Sequence, residues 1–388
     1  MREPKCPYFA RPNDPQVGRG RCGGCATQHV EYELQLKNKT ERLARAIGTD
    51  KIQVFSGNEW GYRNRMDMVF TPQGLGFREK GRWNVFVDVE QCVISNPKLN
   101  VLIKEVRDYF KGADYYDLKK GSGTFRYAVI RTPQNDSSIS FVLNSDSAHV
   151  AEAIEKIRDF TKITTANNIL ITFVPSTTDQ SISEEFEVIK GSDMLQESFL
   201  GKTFEYSVQG FFQNNHEMAE KMHEYVRNLL VTHGGPNRGP DGGLKNAHLL
   251  DLYGGVGTFG IINADLFKTV NIVESFAGCI DAAKKNIERN GVKNVYATAL
   301  DAKQLKNMNL PRPLYVINDP PRAGMHPKTV EQLIKLAPES IIYISCNVAE
   351  LEKDLKKFLK HFKLKSAALF DLFPQTNHSE SVVELIKV

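Results

Sequence analysis

The stretch that decides the fold is His248-Leu249-Leu250-Asp251-Leu252-Tyr253-Gly254-Gly255-Val256-Gly257-Thr258-Phe259-Gly260. It begins as a short apolar run typical of a buried strand and continues as a glycine-rich turn that enters a helix. The next strand along the chain ends with an acid, Glu274. Glycines let the backbone approach a ligand, and an acid at a strand tip can accept hydrogen bonds from ribose hydroxyls. The unit therefore predicts a nucleoside site.

The chain around this unit alternates between apolar strands and amphipathic helices. Such alternation is typical of a doubly wound parallel sheet, so we expect an α/β, Rossmann-like domain over residues 206–388. Residues 233–244 contain seven Gly or Pro in twelve positions and read as a loop. The predicted strands are 248–252, 270–274, 295–300, 314–318, 340–345 and 382–386, and the predicted helices are 215–232, 276–290 and 328–336.

The chain before residue 206 divides into three parts. Residues 1–30 are rich in Gly, Pro, Arg and Cys and read as a small, loop-rich cysteine knot. Apolar residues at helical spacing predict a helix over 32–47, so we expect residues 31–50 to pack on the C-terminal domain. Alternating segments such as 66–70, 85–89 and 138–143, with helical patterns at 100–111 and 148–161, predict an antiparallel α+β central domain over residues 51–205.

Composition sets broad limits on the class of protein. Of the 388 residues, 41% are hydrophobic and 25% charged, and no apolar run reaches the roughly 18 residues that a membrane helix needs. The amino terminus lacks the features of a secretory signal, so we expect a soluble, cytoplasmic protein whose cysteines are reduced or liganded. A net charge of +4 does not decide for or against a nucleic-acid partner.

The glycine loop allows two kinds of ligand. Gly255, Gly257 and Gly260 satisfy the GxGxxG pattern of nicotinamide-dependent oxidoreductases. However, Asp251 closes the strand just before the glycines, where its charge would repel a pyrophosphate and attract the cationic sulfonium or ammonium of S-adenosylmethionine. The charge favours the methyl donor, and a purely structural glycine turn is the remaining alternative.

Two further strands end in side chains suited to chemistry. The strand 314–318 runs into Asp319-Pro320-Pro321-Arg322, a rigid loop whose carboxylate can border a ligand crevice and whose arginine is available for a phosphate. A plain sharp turn is the alternative interpretation. The next strand ends at Cys346, followed by Asn347 and a new helix, whose amino terminus we expect to lower the pKa of the thiol. Cys279, inside a helical pattern, reads as inert filling of the core.

The loop Phe370-Asp371-Leu372-Phe373-Pro374-Gln375-Thr376-Asn377-His378-Ser379-Glu380 offers a base. From the chemistry alone, either His378 or Glu380 could act, and a polar surface loop is the alternative. A methyl-donor site, a thiol and a base are what methylation of uracil at carbon 5 needs. A thiolate that adds to carbon 6 activates carbon 5, and a base then removes the carbon 5 proton.

These residues resemble the RNA uracil-5 methyltransferase family. The motifs are Phe211-Phe212-Gln213-x-Asn215, the Asp251 glycine loop, Glu274, Asp319-Pro320-Pro321-Arg322, Ser345-Cys346-Asn347 and Phe373-Pro374-Gln375-Thr376-x-His378-x-Glu380. The resemblance implies that Gln213, Tyr253, Glu274 and Asp319 line the S-adenosylmethionine site. It also implies that Cys346 is the nucleophile and Glu380 the proton acceptor, with His378 in support.

Four other cysteines form a second pattern. Cys22-Gly23-Gly24-Cys25 offers two thiolates to one centre, which Cys6 and Cys92 would complete, and spacing alone allows zinc, an iron-sulfur cluster or free thiols. The family resemblance implies a 4Fe-4S cluster on Cys6, Cys22, Cys25 and Cys92. The fifteen residues between Cys6 and Cys22 exceed the usual gap in the family, which puts Cys6 in question.

The expected partner is RNA, in which the target uracil would leave its stack to reach Cys346. Basic and aromatic residues of the amino-terminal knot and of residues 62–66 and 125–127 are candidates for contact. The short segment before Cys6 leaves no room for the RNA-binding barrel of some relatives, so the chain is most similar to members that act on ribosomal RNA. We expect a monomer acting on 23S rRNA, with tRNA as the alternative substrate. An adenine or cytosine methyltransferase and an oxidoreductase are the alternative functions. The candidates in the knot are Arg2, Lys5, Tyr8, Phe9, Arg11, Arg19 and Arg21.

Overall fold

The computed structural model describes residues 2–9, 21–232 and 243–388. Arg11 and Arg19, and most of the loop predicted over 233–244, lie outside these ranges. The first half of the described chain contains three helices and ten strands. They are α1 (Tyr32–Ile47), β1 (Gln53–Phe55), β2 (Arg65–Thr71), β3 (Gly74–Glu79), β4 (Arg82–Asp88), α2 (Pro97–Tyr109), β5 (Phe125–Arg131), β6 (Ser138–Asn144), α3 (Val150–Phe160), β7 (Asn168–Val174), β8 (Phe186–Lys190), β9 (Met194–Phe199) and β10 (Lys202–Ser207).

The second half alternates between α-helices and strands, except for two consecutive strands that are separated by a 3-10 helix (Ala302–Asn307) and for its last two strands. Helix α4, with 17 residues, is the longest, and no helix in the described ranges is long and apolar enough to cross a membrane. The elements are α4 (His216–Thr232), β11 (His248–Leu252), α5 (Thr258–Ile262), β12 (Thr269–Glu274), α6 (Ala277–Arg289), β13 (Val295–Ala299), β14 (Leu314–Asn318), α7 (Pro327–Leu336), β15 (Ser340–Ser345), α8 (Val348–Phe358), β16 (Phe362–Phe370) and β17 (Glu380–Lys387).

The seven strands of the second half, together with β1, form one eight-stranded sheet in the order β1-β16-β17-β15-β14-β11-β12-β13. Strands β15, β14, β11, β12 and β13 pair in parallel, while β17 runs antiparallel to both β15 and β16. The prediction of an α/β, doubly wound sheet is confirmed. Strand β16, for which the sequence analysis gave no prediction, extends the sheet beyond β17.

Both faces of this sheet are covered by apolar cores. The side chains of β11 point alternately to opposite faces, so they contribute to both cores. Leu249 belongs to an apolar core shared with α4, α5 and α6. Leu250 and Leu252 belong to a second core shared with α1, α7 and α8. The parallel strands are therefore buried on both sides, and only their ends are open to ligands.

The central sheet has seven strands in the order β4-β3-β2-β5-β6-β7-β8. Its neighbours pair antiparallel except β6 and β7, which are parallel because α3 connects them as a crossover. Helices α2 and α3 pack on one face around a core of aromatic and aliphatic residues. Helix α2 begins where Asn96 accepts a hydrogen bond from the backbone of Leu99, followed by Pro97 in the first turn. This is the expected α+β arrangement.

Two segments from within residues 51–205 lie with the C-terminal sheet instead of the central one. Strand β1 pairs in parallel with β16, with Val54 opposite Leu369. The β9–β10 hairpin shares the core of α4 to α6, and the side chain of Asn286 on α6 makes two hydrogen bonds to the backbone of Glu205. The central sheet itself therefore starts at β2 and ends at β8.

Candidate active site

Four neighbouring strands bring their carboxyl ends to one edge of the C-terminal sheet. Asp251 lies in β11, Glu274 ends β12, Asp319 follows β14 and Cys346 follows β15. Because the strands are parallel and paired in register, with Leu252 opposite Asn318, these side chains meet along one edge. The structure thus brings together Glu274, Asp319 and Cys346, three of the site residues that the sequence predicted separately.

Asp251 braces the glycine loop. Its carboxylate is fully buried, and Oδ2 accepts a hydrogen bond of 2.8 Å from the backbone N–H of Gly260. A Cβ at position 260 would lie 2.8 Å from Ile272 Cγ1, so the helix can approach β12 only with glycine there. Gly257, with a φ of +90°, adopts the left-handed backbone that glycine favours. The tight turn predicted from the sequence therefore has a steric cause.

The residues on either side of this loop are also constrained. Tyr253 is a non-glycine residue with a positive φ of 59°, directly after β11. Oε1 of Glu274 accepts hydrogen bonds from the backbone of Ser275 at 2.6 Å and of Phe276 at 2.9 Å, and from the Ser275 hydroxyl at 3.0 Å. These bonds orient the Glu274 carboxylate at the strand tip, where a ribose would be bound.

The carboxylates at this edge raise one another's pKa. Burial, followed by the negative charge of Glu274, raises the pKa of Asp251 to about 7. Burial and the charge of Asp251 raise the pKa of Asp319 to about 7, and burial and the charge of Asp319 raise the pKa of Glu380 well above its usual value. Such a chain of carboxylates stabilises a cation placed among them and destabilises an anion.

Cys346 lies partly exposed between β15 and α8. Asn347 caps α8 by accepting a hydrogen bond from the backbone of Ala349 and donates from Nδ2 to the carbonyl of Arg322, which ties the proline loop to the thiol. The expectation of a lowered thiol pKa is wrong. Burial, followed by the charges of Glu380 and Asp319, raises the pKa of Cys346 to about 11 and outweighs the lowering by a backbone hydrogen bond and by Arg322.

Both candidate bases lie close to the thiol. Glu380 is the first residue of β17 and is 6% exposed, and its charge acts directly on the pKa of Cys346. His378 is exposed, and its Nδ1 lies 3.4 Å from Nη2 of Arg322. Burial and the surrounding cations, Arg322 first, lower the pKa of His378, so its imidazole is neutral near pH 7. The geometry leaves both residues within the same site.

A buried ion pair holds the loop that carries these bases. Nζ of Lys39, on α1, lies 2.6 Å from Oδ1 of Asp371, and the two side chains are 5% and 0% exposed. Lys39 also donates to the carbonyl of Phe373 at 3.2 Å. Residues 35, 39, 43 and 47 form the buried stripe of α1, so the signal for this role was a lysine on the buried face of an amphipathic helix.

Gln375 connects this loop to the amino-terminal cysteine segment. It is fully buried, with a positive φ of 68°. Its carbonyl accepts hydrogen bonds from the backbone N–H groups of Ala26 at 2.9 Å and Thr27 at 3.1 Å. Its side chain accepts from Arg2 at 3.1 Å and donates to Glu59 at 2.9 Å. Gln375, in the loop before β17, therefore contacts both the cysteine knot and the segment after α1.

Gln213 contacts Asn64 through its backbone, because its carbonyl accepts a hydrogen bond of 3.4 Å from Nδ2 of Asn64. The N–H of Asn64 donates to the carbonyl of Asn214 at 3.0 Å, and Nδ2 of Asn215 donates to the carbonyl of Leu372 at 3.1 Å. These contacts bring residues 213–215 against the loop before Glu380.

The four amino-terminal cysteines surround a second cavity. Cys6, Cys22, Cys25 and Cys92 all line a space of about 430 Å³. Burial and the neighbouring thiols raise the pKa of Cys22 and of Cys25 to about 12. The backbone of Gly24 donates to Sγ of Cys22 at 3.3 Å. The long gap before Cys22 therefore does not keep Cys6 away from the other three.

The four thiols are the candidate ligands for a metal centre. Within residues 2–9, 21–232 and 243–388, no three His, Cys, Asp or Glu side chains are arranged to hold a metal ion. The four thiols nevertheless line one cavity, and the hydrogen bond to Cys22 Sγ suits a thiolate ligand.

Several of the described aromatic and basic residues expected to contact RNA are buried or bonded inside the protein. Arg126 is 3% exposed and donates to the carbonyls of Pro175 and Thr178. Arg2 pairs with Glu59 at 2.6 Å, and Phe9 and Phe125 are also buried. The expectation for Phe9, Phe125 and Arg126 is wrong, because burial removes them from contact with a partner.

The sequence analysis singled out Arg322 but missed two other exposed arginines, Arg42 and Arg45. Arg42 and Arg45 of α1 and Arg322 of the proline loop line a cavity of about 450 Å³ together with Cys346 and His378. Sequence spacing gives no signal for this cavity, because α1 and the proline loop lie almost 280 residues apart in the chain.

The fold and the site together define an α/β methyltransferase. The structure superposes on that of the Pyrococcus abyssi tRNA (uracil-54, C5)-methyltransferase in complex with S-adenosyl-L-homocysteine, with a TM-score of 0.78, 27% identity, and coverage of 94% of this chain and 86% of the other. The model of the family described as tRNA (Uracil-5-)-methyltransferase matches residues 31–388, and the chain belongs to this family.

Two relatives agree with this membership. An uncharacterized RNA methyltransferase of Caldanaerobacter subterraneus subsp. tengcongensis is 32% identical over 98% of this chain and 84% of its own length. A tRNA (uracil(54)-C(5))-methyltransferase of Pyrococcus horikoshii is 31% identical over 95% of this chain and 84% of its own. The membership decides among the three alternatives of the sequence analysis in favour of the RNA uracil methyltransferase.

The Lys39–Asp371 pair gives a stability prediction. Replacing Lys39→Met leaves the Asp371 carboxylate buried without its cation, which we expect to lower the free energy of unfolding by about 3–5 kcal/mol. Urea denaturation measures the difference. Lys37→Met, on the exposed face of the same helix, is the matched control and should change stability by less than about 0.5 kcal/mol. Equal effects of the two substitutions would show that the pair does not hold the loop.

The raised carboxyl pKa values give a pH prediction. Asp251 and Asp319 have folded pKa values near 7, above the usual 3.8. Their contribution to folding stability is therefore complete below about pH 3.8 and is lost as the pH rises through 7. Binding of cationic S-adenosylmethionine should show the opposite trend and tighten by about tenfold between pH 6 and pH 8, as the carboxylates ionise.

Isothermal titration calorimetry measures this dependence, and S-adenosylhomocysteine, which lacks the sulfonium charge, is the matched ligand. Its affinity should change less over the same range. An equal dependence for both ligands would show that the carboxylates do not sense the sulfonium.

Proposed function

We propose that this protein transfers the methyl group of S-adenosylmethionine to carbon 5 of a specific uridine in RNA, through a covalent adduct of Cys346. The observation that carries the proposal is the position of Cys346. Its partly exposed thiol lies at a strand end beside the carboxylates of Glu380 and Asp319, which act on its pKa. This chemistry requires a thiol close both to carboxylates that can bind a cationic donor and to a base.

The donor binds along the strand ends in this proposal. Glu274 accepts hydrogen bonds from the ribose, Gln213 and Tyr253 flank the donor, and Asp319 faces the sulfonium. A positive charge at that point offsets the carboxylates that hold the pKa of Cys346 high. Binding of the donor therefore favours ionisation of the thiol, so the nucleophile becomes active when the methyl group is present.

The reaction then follows from the residues around the pyrimidine. Sγ of Cys346 forms a bond to carbon 6, and the electrons of the 5,6 double bond move onto the oxygen at carbon 4. Carbon 5 takes the methyl group, and the donor leaves as a neutral thioether. Glu380 removes the proton from carbon 5, the double bond reforms, and the Cys346 thiolate is expelled. The raised pKa of Glu380 suits a group that must accept this proton.

Transfer RNA is the substrate that the relatives support. The enzymes of Pyrococcus horikoshii and Pyrococcus abyssi carry names that specify tRNA and uracil 54. We infer that a tRNA uridine is the target, with position 54 the first to examine. The preference for 23S rRNA, which the sequence analysis derived from the short amino-terminal segment, stays as the alternative that the same experiment tests.

We also propose that Cys6, Cys22, Cys25 and Cys92 hold a 4Fe-4S cluster. The support is the common cavity, the hydrogen bond to Cys22 Sγ and the family resemblance. The cluster would tie the knot to the central sheet, because Cys92 lies just after β4 whereas the other three precede α1. Its role in this proposal is structural, and no step of the reaction passes through it.

The target is found by mass spectrometry of RNA from cells with and without the gene, separated into tRNA and ribosomal RNA. We expect one 5-methyluridine to disappear from the tRNA fraction and to return with the native gene. The gene carrying Cys346→Ala should not restore it, because no adduct forms. A loss confined to 23S rRNA would make the ribosomal alternative correct, and restoration by Cys346→Ala would exclude the covalent mechanism.

Cys279→Ala, which removes a half-buried thiol of α6, is the matched control and should restore the modification. In purified protein, Glu380→Gln separates the roles of the two candidate bases. Methyl transfer without proton removal should trap the RNA on the protein as a band that survives denaturing electrophoresis. Normal turnover by Glu380→Gln together with trapping by His378→Gln would assign the base to His378.

The cluster is tested by anaerobic purification. We expect brown protein with about four iron atoms and four sulfides per chain and a broad absorption in the visible region. Cys92→Ser should remove the colour while Cys279→Ser retains it. Colourless protein with stoichiometric zinc would overturn the assignment.

A further inference from the structure

Three arginines from two distant parts of the chain converge beside the nucleophile. Arg42 and Arg45 lie one turn apart on α1, and Arg322 lies in the loop after β14. All three are exposed, and all three line the cavity of about 450 Å³ that contains Cys346. We call these residues the arginine triad.

The charges of the arginine triad are not neutralised by the protein. In the described parts of the chain, no carboxylate oxygen is recorded within 4.0 Å of these guanidinium groups. Arg42 donates to the carbonyl of Asn377 at 2.9 Å, and Arg322 contacts the ring of His378. The one acid lining the cavity, Glu352, pairs with Lys356 at 2.8 Å. Each guanidinium has five N–H donors, so several remain for a ligand.

The cavity of the arginine triad includes Cys346 but neither Asp319 nor Glu380 among its described lining residues. Those two carboxylates raise the pKa of Cys346, whereas Arg322 lowers it. A cationic ligand is favoured near the carboxylates, and an anionic ligand is favoured in the arginine-lined cavity. A methyl donor and an RNA strand carry these two charges.

We propose that the arginine triad binds a backbone phosphate next to the target uridine and so holds the flipped base over Cys346. This inference rests on the proposed function and names the part of the RNA that the site recognises. Arginine forks match phosphate oxygens in bidentate geometry. Because phosphates carry no sequence information, the triad positions the nucleotide and does not select it.

The proposal is tested by measuring the binding of pentauridylate, a single-stranded RNA probe. This measurement does not require the natural target to be known. Neutralising phosphates releases counterions, so the logarithm of the binding constant falls with the logarithm of salt concentration by about 0.7 per phosphate for single strands. We expect Arg42→Gln/Arg45→Gln/Arg322→Gln to reduce this slope by at least about 0.7. Fluorescence anisotropy between 50 and 200 mM salt provides the measurement.

Lys37→Gln/Lys335→Gln/Lys363→Gln is the matched control, since it removes the same charge from exposed positions on α1, α7 and β16. It should leave the slope unchanged. A second readout uses iodoacetamide, from which pentauridylate should protect Cys346 in the native protein and in the control but not in the triad variant.

The outcomes separate this inference from the proposed function. A reduced slope with lost protection supports the phosphate site even if no uridine is methylated. An unchanged slope, equal slopes for the two triple variants, or no binding of pentauridylate at 50 mM salt overturns it, even if methylation of RNA by the native protein is established.

Discussion

The site depends on one geometric constraint, which is that parallel strands end at the same edge of their sheet. Because β11, β12, β14 and β15 pair in register, their carboxyl ends lie side by side. Three carboxylates and a thiol from four separate parts of the chain thereby come within electrostatic range of one another. Both faces of the sheet are covered by apolar cores, so this edge is where polar ligands can be held without disturbing the core.

Antiparallel β17 brings Glu380, the proposed base, to this edge from the opposite direction. It begins where the parallel strands end, so its first residue, Glu380, arrives beside Cys346. The loop before it must then be held in place by other parts of the chain. Lys39 of α1 pairs with Asp371, and Gln375 contacts the cysteine segment through its carbonyl. The cysteine knot, α1 and the catalytic loop therefore form one hydrogen-bonded unit, which gives the distant cysteine cavity a structural connection to the base.

The pKa of Cys346 differs from the value that its position before a helix would predict. A thiol before a helix normally becomes more acidic, yet Cys346 is held protonated by burial and by two carboxylates. The same carboxylates would stabilise a cationic ligand bound among them. In the proposed mechanism, the thiol ionises only after the cationic donor binds. It is then protected from oxidation and side reactions in the absence of substrate, because the thiolate is the reactive form.

The sequence by itself determined the α/β sheet, the glycine turn, the strand-end positions of Asp319 and Cys346 and the helix over 32–47. These follow from local periodicity, from steric limits on glycine and from the rule that parallel strands share an edge. Only the tertiary structure decided that β1 joins the C-terminal sheet and that the β9–β10 hairpin packs in the core beside it. It also decided that Arg126 is buried, that Lys39 pairs with Asp371 and that Arg42 and Arg45 lie beside Cys346. Each of these facts depends on contacts between residues far apart in the chain, and neither spacing nor composition encodes them, because burial and charge at a side chain are set by whichever segments pack around it.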